Sequence, residues 1–307
     1  MKNLQRITLF PYYAIRRIYH CYLQRYNPRK YDAKILHRCS CGRELDLEHT
    51  QDLNEKINWM KFNTDTTRWS ELADKYRVRE YVRKCGLGDF LVRLYGVWET
   101  ADEIDFSKLP ESFVLKTNNA SGTTLIVPNK KELDIPVIRK TLNQWLKQPY
   151  GIKSAEPHYL SIPPCIIAEE LLDVTKQPIA STSLIDYKIL CFDGNPTYII
   201  VGTNRTHKDV EWSLFDMNWN YHPEKLVFTN HYKECTNLVP RPETLDEMLR
   251  AARILSAGLP QVRVDLYEVG GKPYFGEMTF TGLGGYMNFF TEEFLLELGD
   301  YTKLPKQ

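Results

Sequence analysis

The segment RVDLYEVGGKPYFGEMTFTGLGG, residues 263–285, constrains this chain more than any other part of its sequence. Its first half predicts two antiparallel strands, because runs rich in Val, Leu, Tyr and Phe flank the turn-forming pair Gly270-Gly271. Three charged residues, Arg263, Asp265 and Glu277, interrupt these otherwise apolar strands. A hairpin of this kind buries at least one of its faces, so the placement of the three charges decides what it can do.

These charges are predicted to lie on one face of the hairpin. Side chains alternate along a strand, so Arg263 and Asp265, two residues apart, point to the same side. Folding back at the turn brings Glu277 opposite them. Such a group suits a site for Mg²⁺ and phosphate, because Mg²⁺ takes carboxylate oxygens and a guanidinium neutralises phosphate charge. The alternative is a solvated polar face of an antiparallel sheet, and the residues alone leave it open.

The composition indicates a folded protein without a strong charge bias. The 307 residues are 43% hydrophobic and 26% charged, which is enough for a sizeable core in one large domain or two ordinary ones. A net charge of +1 gives no general attraction to nucleic acid. The sequence shows no apolar run of membrane-helix length and no signal peptide, and its seven cysteines are typical of reduced thiols. We therefore expect a cytoplasmic protein that binds no nucleic acid.

The hydrophobic periodicity predicts helices and strands that alternate without a strict βαβ repeat, which indicates an α+β fold. The predicted helices are DLNEKINWMKFN (52–63), a single helix over 70–86 with Ser70 as its N-cap, and segments near 131–147 and 243–257. The predicted strands lie near 90–95, 112–117, 165–171, 185–192 and 197–203. Residues 204–241 are interpreted as a polar, aromatic linker.

Segments upstream of the hairpin carry residues that suit a nucleotide. In FVLKTNNASGTTLIV (113–127), Lys116 ends a strand before a loop of exposed N–H groups, which can cradle phosphate, although hairpin turns of this composition are common. In CIIAEELL (165–172), the backbone at the end of a strand can bind an adenine edge between aliphatic side chains. Lys75 in ADKYRVREYV (73–82) and Lys188 in DYKILCFDGNP (186–196) are, taken singly, typical of solvated lysines.

In their order and spacing, these four segments and the hairpin resemble the ATP-grasp superfamily, and specifically its TupA-like group from bacterial capsule and cell-wall polysaccharide loci. The resemblance spans roughly residues 50–295. It implies an ATP-grasp fold of class α+β, in which two α+β subdomains grip ATP after a short, largely helical N-terminal region. The implied division is a basic, aromatic helical segment (1–48), a helical region (49–110) and the ATP-grasp domain (111–300).

The resemblance also implies roles for individual residues. Arg263 and Lys116 would act on the transferred phosphate, and the loop from Asn118 to Thr124 would close over the phosphates. The superfamily usually has Asn two residues after its second metal carboxylate, where this chain has Thr279, so the ligand there would be the Thr279 hydroxyl, Asn288 or a water. The implied nucleotide-binding residues are Lys75, Lys116, Ser121, Gly122, Thr123, Glu169, Glu170, Leu171, Leu172 and Lys188, and the implied Mg²⁺ ligands are Asp265, Glu277 and Thr279.

The activity implied by the resemblance has two steps. A carboxylate attacks the γ-phosphate of ATP to give an acylphosphate and ADP, and an amine then displaces phosphate to form an amide. The implied cofactors are ATP and Mg²⁺. The TupA-like group implies a uronic acid of a small-molecule or lipid-linked saccharide as the carboxylate and an amino acid as the amine. Arg205 and His207, in TNRTHKD (203–209), are candidates for substrate contact, or else they lie on a surface loop.

Three other functions stay open on sequence grounds. A glycosyltransferase of the same polysaccharide pathway would need a DxD-type metal motif, and the nearest segment, NTDTT (63–67), has one acid. A kinase-like reaction, which leaves phosphate on the acceptor, would use the same residues. A nucleotide-binding module without catalysis would be expected to lack the metal carboxylates.

Residues 1–30 stand apart because they contain seven basic residues and no acid. From Tyr12, positions 12, 15, 19, 22 and 26 form an aromatic and Ile stripe at helical spacing. One interpretation is a helix packed on the rest of the protein. The other is an interfacial helix that holds the protein at the anionic inner face of the cytoplasmic membrane. Co-sedimentation with anionic and neutral vesicles, with and without residues 1–30, distinguishes the two.

Overall fold

The computed structural model describes residues 28–305. The helix predicted for residues 1–30 therefore lies outside the described residues, except for its last three positions. Within the described range, no helix is long and apolar enough to cross a membrane. The α-helices of this range are α1 (Pro28–Cys41), α2 (Leu53–Asn63), α3 (Thr67–Ala73), α4 (Val78–Lys84), α5 (Ile135–Leu146), α6 (Leu245–Ser256) and α7 (Glu292–Tyr301).

The strands of residues 28–305 form two sheets, which confirms the α+β class. The first sheet has the order β1-β4-β2-β3, and the second has the order β10-β9-β5-β6-β7-β8. Because β1 precedes residue 111, the first sheet draws on both sides of the expected boundary there, and the division of the chain into domains stays a prediction. The strands are β1 (Leu94–Trp98), β2 (Phe113–Thr117), β3 (Thr124–Val127), β4 (Ile166–Glu169), β5 (Asp186–Phe192), β6 (Asn195–Thr203), β7 (Val210–Asp216), β8 (Tyr232–Glu234), β9 (Val262–Val269) and β10 (Lys272–Thr279).

The first sheet is covered on one side by α5. Asp134 caps this helix by accepting a hydrogen bond from the backbone of Val137. Phe113 and Leu115 on β2 are buried in one apolar cluster with residues of α5. Since side chains alternate along a strand, Lys116 on β2 emerges on the opposite face of the sheet. Glu169 on β4 emerges on that same face.

The second sheet is covered by α6, which packs on β5, β6 and β9. Val262, Val264 and Leu266 on β9 are buried in the core that also holds the apolar side chains of α6. By alternation, Arg263 and Asp265 point to the other face of this sheet. Lys116 and Glu169 therefore lie on the face of the first sheet opposite α5, and Arg263 and Asp265 lie on the face of the second sheet opposite α6.

The prediction of a polar linker over residues 204–241 is wrong. Residues Val210–Asp216 form β7, which pairs antiparallel with β6, and Tyr232–Glu234 form β8, which pairs parallel with β7. Trp212, Ser213 and Leu214 are all buried, so β7 is covered on both faces. A strand buried on both sides does not need a clean apolar–polar alternation, and the polar residues within it concealed the strand.

The single helix predicted over residues 70–86 is also wrong, because the chain forms α3 and α4 with a break between them. Ser70 lies inside α3, where its hydroxyl donates to the carbonyl oxygen of His158 at 2.7 Å. Asp74 makes the break, since its carboxylate accepts from the backbone N–H groups of Tyr76 and Arg77. Lys75 therefore lies in a turn, and its backbone N–H donates to the carbonyl oxygen of Asn118 at 3.1 Å.

Helix α2 holds the segment that follows β10, residues 281–287, which we call the glycine segment. Asp52 and Glu55 form a capping box that fixes the start of α2. One face of the helix carries polar side chains at i, i+4 and i+7 spacing, and each of them bonds the backbone of the glycine segment. Asn54 bonds both backbone groups of Met287, Asn58 donates to Gly285 at 2.7 Å and Lys61 donates to Gly284 at 2.7 Å.

Close packing and backbone conformation both require glycine at two positions of this segment. Gly284 and Gly285 have φ angles of +71° and +82°, which residues with a Cβ rarely adopt. A Cβ on Gly285 would approach the side chain of Ile57 to 2.9 Å. The glycine segment therefore lies directly against α2.

We predict that Asn54→Ala lowers the free energy of unfolding by about 2–4 kcal/mol, because it leaves a buried N–H and a buried C=O of Met287 without partners. Urea denaturation measures this change. Asn63→Ala, at the exposed end of the same helix, is the control and should cost less than about 0.5 kcal/mol. Equal losses in the two variants would contradict the role given to Asn54.

Candidate active site

The β9–β10 hairpin brings the charges predicted from the sequence together. Its turn at Gly270 and Gly271 has φ angles of +61° and +69°, as tight two-residue hairpin turns require. The register confirms that Glu277 lies opposite Asp265, and it also places Thr279 opposite Arg263. These four side chains therefore occupy neighbouring positions on one face of the second sheet.

Asp265 is the centre of this group. It is only 1% exposed, and its carboxylate accepts three hydrogen bonds. Arg263 donates two of them, from Nε to Oδ1 at 2.7 Å and from Nη2 to Oδ2 at 2.8 Å. Lys188 on β5, opposite Asp265 in the register, donates the third from Nζ to Oδ2 at 2.7 Å. The buried negative charge is thus compensated by two cations on neighbouring positions.

Glu277 is the more open of the two acids, with 33% of its side chain exposed. Its Oε2 lies 3.3 Å from Nζ of Lys75, and its Oε1 accepts from the hydroxyl of Thr279 at 3.2 Å. Burial alone would raise the pKa of Glu277, but the charges of Lys75, Arg263 and Lys188 lower it to about 2. This carboxylate is therefore ionised at neutral pH.

Glu169 organises the opposite side of the site, on the first sheet. Lys116, predicted to bind phosphate, lies with Nζ 2.6 Å from one oxygen of Glu169. Arg79 lies 2.8 Å from the other oxygen and also donates to the carbonyl oxygen of Val92 at 2.7 Å. The sequence reasoning missed Arg79, although it follows Lys75 by four residues within a segment already recognised as part of the resemblance.

The loop from Asn118 to Thr124 is fixed at its base and open at its tip. Asn118 bonds Cys165 and Pro163 next to β4, while Thr117 and Thr123 share a hydrogen bond of 2.7 Å. Nζ of Lys75 donates to the carbonyl oxygen of Ala120 at 2.8 Å. At the tip, Ser121 and Gly122 are exposed. The loop predicted to cover phosphates therefore lies beside Lys75 and the β9–β10 acids.

The segment predicted to bind adenine continues from Glu169. Glu170 is exposed and Leu171 is half-buried, while Leu172 is buried in a small apolar cluster with Val92 and Val269. Tyr267 and Tyr274 of the hairpin pack against this cluster. The cluster joins the two sheets with apolar and aromatic surface, as a pocket for a flat ring requires.

A further acid, Asp186 on β5, extends the network. The sequence reasoning missed this residue as well. Its carboxylate lies 3.4 Å from Lys188 and 3.3 Å from Arg205. Asp186 precedes Lys188 by two residues and points to the same face of β5, so the sequence alone could have indicated it. His207, the other residue expected near substrate, is exposed in the β6–β7 connection.

The ion pairs converge on one region between the sheets. Burial, and then the negative charges of all four carboxylates, raise the pKa of Tyr267 well above its ordinary value, so this ring lies within range of both sheets' acids. The site has six basic and four acidic side chains, an excess of two positive charges that attracts a polyanion. These are Lys75, Arg79, Lys116, Lys188, Arg205 and Arg263 with Glu169, Asp186, Asp265 and Glu277.

The predicted Mg²⁺ ligands fit a hard divalent cation by their chemistry. A carboxylate offers about four acceptor positions, and Asp265 uses three of them. Glu277 is ionised and partly open, and Thr279 adds a hydroxyl oxygen. In the part of the chain that the structure describes, no three His, Cys, Asp or Glu side chains form a metal-binding group. The predicted set accordingly contains two carboxylates, and a cation here would keep positions for water and phosphate.

Comparisons with known proteins place these observations in a family. A sequence model described as TupA-like ATP-grasp matches residues 55–303. D-alanine–D-alanine ligase from Bacillus anthracis aligns with 18% identity and a TM-score of 0.43, over 76% of this chain and 65% of the ligase. D-alanine–D-alanine ligase from Helicobacter pylori aligns with 11% identity and a TM-score of 0.45, over 83% of this chain and 68% of the ligase.

The ATP-grasp ligase PsnB, solved with a variant of its minimal precursor, Mg and ADP, aligns with 14% identity and a TM-score of 0.41, over 81% of this chain and 66% of PsnB. The chain thus spans less than two thirds of the length of the Bacillus anthracis ligase. At these scores, the structural likenesses identify neither a substrate nor a reaction for this chain. No curated protein matches its sequence.

We predict a specific pH dependence of stability from Glu277. Its pKa of about 2 in the folded protein lies below the ordinary value of 4.5, so its stabilising effect is complete above that ordinary value and is lost as the pH falls towards 2. Between about pH 6 and pH 3, the free energy of unfolding should therefore fall less steeply in Glu277→Gln than in the wild type. Urea denaturation at several pH values measures the two slopes.

The control for this measurement is Glu293→Gln, which changes an exposed carboxylate on α7. It should keep the wild-type slope. If Glu277→Gln also keeps that slope, the ion pairs assigned to Glu277 do not stabilise the folded protein.

Proposed function

The chain belongs to the TupA-like ATP-grasp family, and we propose that it is an ATP-dependent ligase that activates a carboxylate as an acylphosphate and joins it to an amine. Family membership, together with the two sheets and the helices that cover them, confirms the ATP-grasp fold expected from the sequence. One observation carries the proposal. The paired acids Asp265 and Glu277 lie beside Arg263, Lys75 and Lys188, and Lys75 joins them to the loop that follows Lys116.

The lysines and Arg263 would bind the phosphates from both sheets. Lys75 and Lys116 now contact the carboxylates of Glu277 and Glu169, and a phosphate oxygen could take the place of either acid. Arg263 is held by Asp265 in a fixed orientation, so it offers its charge to the transferred phosphate with little reorganisation. The protein's contribution is then positioning and charge neutralisation, and no side chain has to act as a nucleophile.

Mg²⁺ would be held by Asp265 and Glu277, with Thr279 as the third protein oxygen. The cation would neutralise phosphate charge and orient the phosphate oxygens. Arg79 contributes indirectly, because it fixes Glu169 and through it the resting position of Lys116. The adenine ring would lie at Leu171 and Leu172, where the apolar cluster joins the two sheets.

The substrates are proposed from the family resemblance. We propose a uronic acid of a small-molecule or lipid-linked saccharide as the carboxylate, an amino acid as the amine, and a role in bacterial surface polysaccharide biosynthesis on the cytoplasmic side. The peripheral membrane contact proposed for residues 1–30 would bring the protein to lipid-linked saccharides. A glycosyltransferase activity gains no support from Asp65, whose carboxylate accepts from the backbone and hydroxyl of Thr67 at the start of α3.

The test is a product-trapping assay. Purified protein with Mg-ATP is incubated with panels of uronic acids and amino acids, and mass spectrometry detects amide products. We expect one pair of substrates to give an amide with stoichiometric ADP. Glu277→Gln should lower the rate by at least about 10²-fold, because the negative charge and one of the two ligand oxygens near the phosphates are lost.

Asp246→Asn, which changes an exposed acid on α6, is the matched control and should leave the rate unchanged. An acceptor that gains phosphate without any amine would establish the kinase-like reaction instead. Full activity in Glu277→Gln would contradict the assignment of this acid.

A separate prediction concerns Lys116. Lys116→Ala should weaken ATP binding by about 10-fold, because a partly desolvated positive charge near phosphate is lost. Isothermal titration calorimetry measures the affinity. Lys108→Ala, which removes an exposed lysine before the same strand, should bind ATP as the wild type does. Unchanged affinity in Lys116→Ala would show that the strand-end cradle is wrong.

A further inference from the structure

A small recess lies above Gly202, on the same face of the second sheet as the acids. Gly202 on β6 is paired with Asp186 on β5 and with Trp212 on β7. A Cβ placed on Gly202 would lie 3.5 Å from Nε1 of Trp212, 3.6 Å from Cβ of Asp186 and 3.7 Å from Nη2 of Arg205. These are ordinary van der Waals distances, so the missing side chain of Gly202 leaves a recess about the size of one methyl group, bordered by three polar side chains.

Trp212 and Arg205 have N–H donors that could bond a further acceptor. Trp212 is 4% exposed, and its Nε1 has no hydrogen-bond partner within residues 28–305. A buried N–H without an acceptor is costly, so a ligand atom that accepts from it is favoured. Arg205 has 42% of its side chain exposed, and the carboxylate of Asp186 is the acid it contacts. Both donors suit a carboxylate, which accepts several hydrogen bonds.

The position of Arg205 is fixed by the chain around it. Its backbone N–H donates to the hydroxyl of Ser183 at 3.0 Å, and that of Asn204 donates to the hydroxyl of Ser181 at 3.0 Å. Asn204 has a φ angle of +49°, a conformation that turns the chain sharply at this point. This turn thus places the guanidinium of Arg205 over Gly202. Tyr232 borders the recess on one side, with its ring centroid 4.5 Å from that of Trp212.

The recess lies at a defined distance from the acids that would hold the metal. Gly202 on β6 is opposite Asp186 on β5, whereas Asp265 on β9 is opposite Lys188, two residues further along β5. With strands about 4.8 Å apart and a rise of about 3.4 Å per residue, the recess is about 12 Å from Asp265. This distance is too long for a carboxylate that receives phosphate beside Arg263. It suits the outer end of a second substrate whose reacting group points back towards β5.

We propose that this recess binds the amine substrate as an α-amino acid, with its carboxylate on Arg205 and Trp212 and its ammonium group on Asp186. The proposal rests on the proposed function, since it names the substrate class of that same site. Opposite charges side by side on Arg205 and Asp186 match the two charges of an amino acid. An amine without a carboxylate would leave both donors without their acceptor.

The first test observes Trp212 directly. The protein, with its six tryptophans labelled at the indole nitrogen, is studied by NMR with Mg²⁺ and a non-hydrolysable ATP analogue. Trp212→Phe assigns the resonance. The standard amino acids, in L and D forms, and their carboxamides are then added one at a time. We expect at least one free amino acid to shift the Trp212 N–H signal, whereas its carboxamide does not.

The second test measures affinity for that amino acid in variants of the recess. Gly202→Ala fills the space with contacts of 3.5–3.7 Å, which are ordinary van der Waals distances, so the fold should tolerate it. Gly202→Ala and Arg205→Gln should each weaken amino-acid binding by about 10-fold or more. Gly202→Ala, which changes no charge, should leave the nucleotide affinity unchanged. The controls are Gly88→Ala, at an exposed glycine with a similar contact of 3.7 Å, and Arg241→Gln, at an arginine 46% exposed in a single ion pair.

Several results would overturn the proposal. A Trp212 shift caused by the nucleotide alone would place a ribose in the recess. An equal shift with the carboxamide, or no shift with any amino acid, would exclude recognition of an amino-acid carboxylate there. Failure of the proposed function is seen separately, as a lack of nucleotide binding by calorimetry in the same samples.

Discussion

The buried charge of Asp265 is the constraint on which the rest of the site depends. A carboxylate at 1% exposure needs compensation, and Arg263 on its own strand and Lys188 on the neighbouring strand supply it. These contacts require β5, β9 and β10 to keep their register, since a shift by one residue would turn each side chain to the opposite face. The same ion pairs hold the side chains in orientations suited to phosphate. Fold and site are therefore fixed by one set of interactions.

Each acid of the site holds basic side chains of its own. On the first sheet, Glu169 holds Arg79 and Lys116, and on the second, Glu277 holds Lys75. A polyanion that enters between the sheets can attract Lys75 and Lys116 at the same time, and the acids they leave keep Arg79 and Arg263 as partners. The ion pairs seen here are thus exchangeable contacts. They keep the cations positioned at a moderate cost of desolvation.

Much of this architecture could be predicted from local patterns. The Gly270-Gly271 turn and the two-residue spacing of Arg263 and Asp265 were enough to predict the hairpin and to place Glu277 opposite the face that carries these two residues. The break at Asp74 depends on a carboxylate that bonds two backbone groups, which helical periodicity does not reveal. The pair of Arg79 and Glu169 joins residues 90 positions apart, and β7 is buried on both faces. Such features arise from tertiary contacts, so a linear pattern could not supply them.

The contact between α2 and the glycine segment has a consequence for how the protein is made. Asn54 and Met287 are 233 residues apart, so the glycine segment docks on a helix near the start of the described chain. During synthesis, α2 leaves the ribosome long before the glycine segment is made. Until then, the polar face of α2 that this segment later buries stays exposed to water. Closing so long a loop also makes this a late step of folding. A nascent chain that has not yet reached residue 287 lacks this contact, and one that ends before β10 also lacks Glu277 and Thr279.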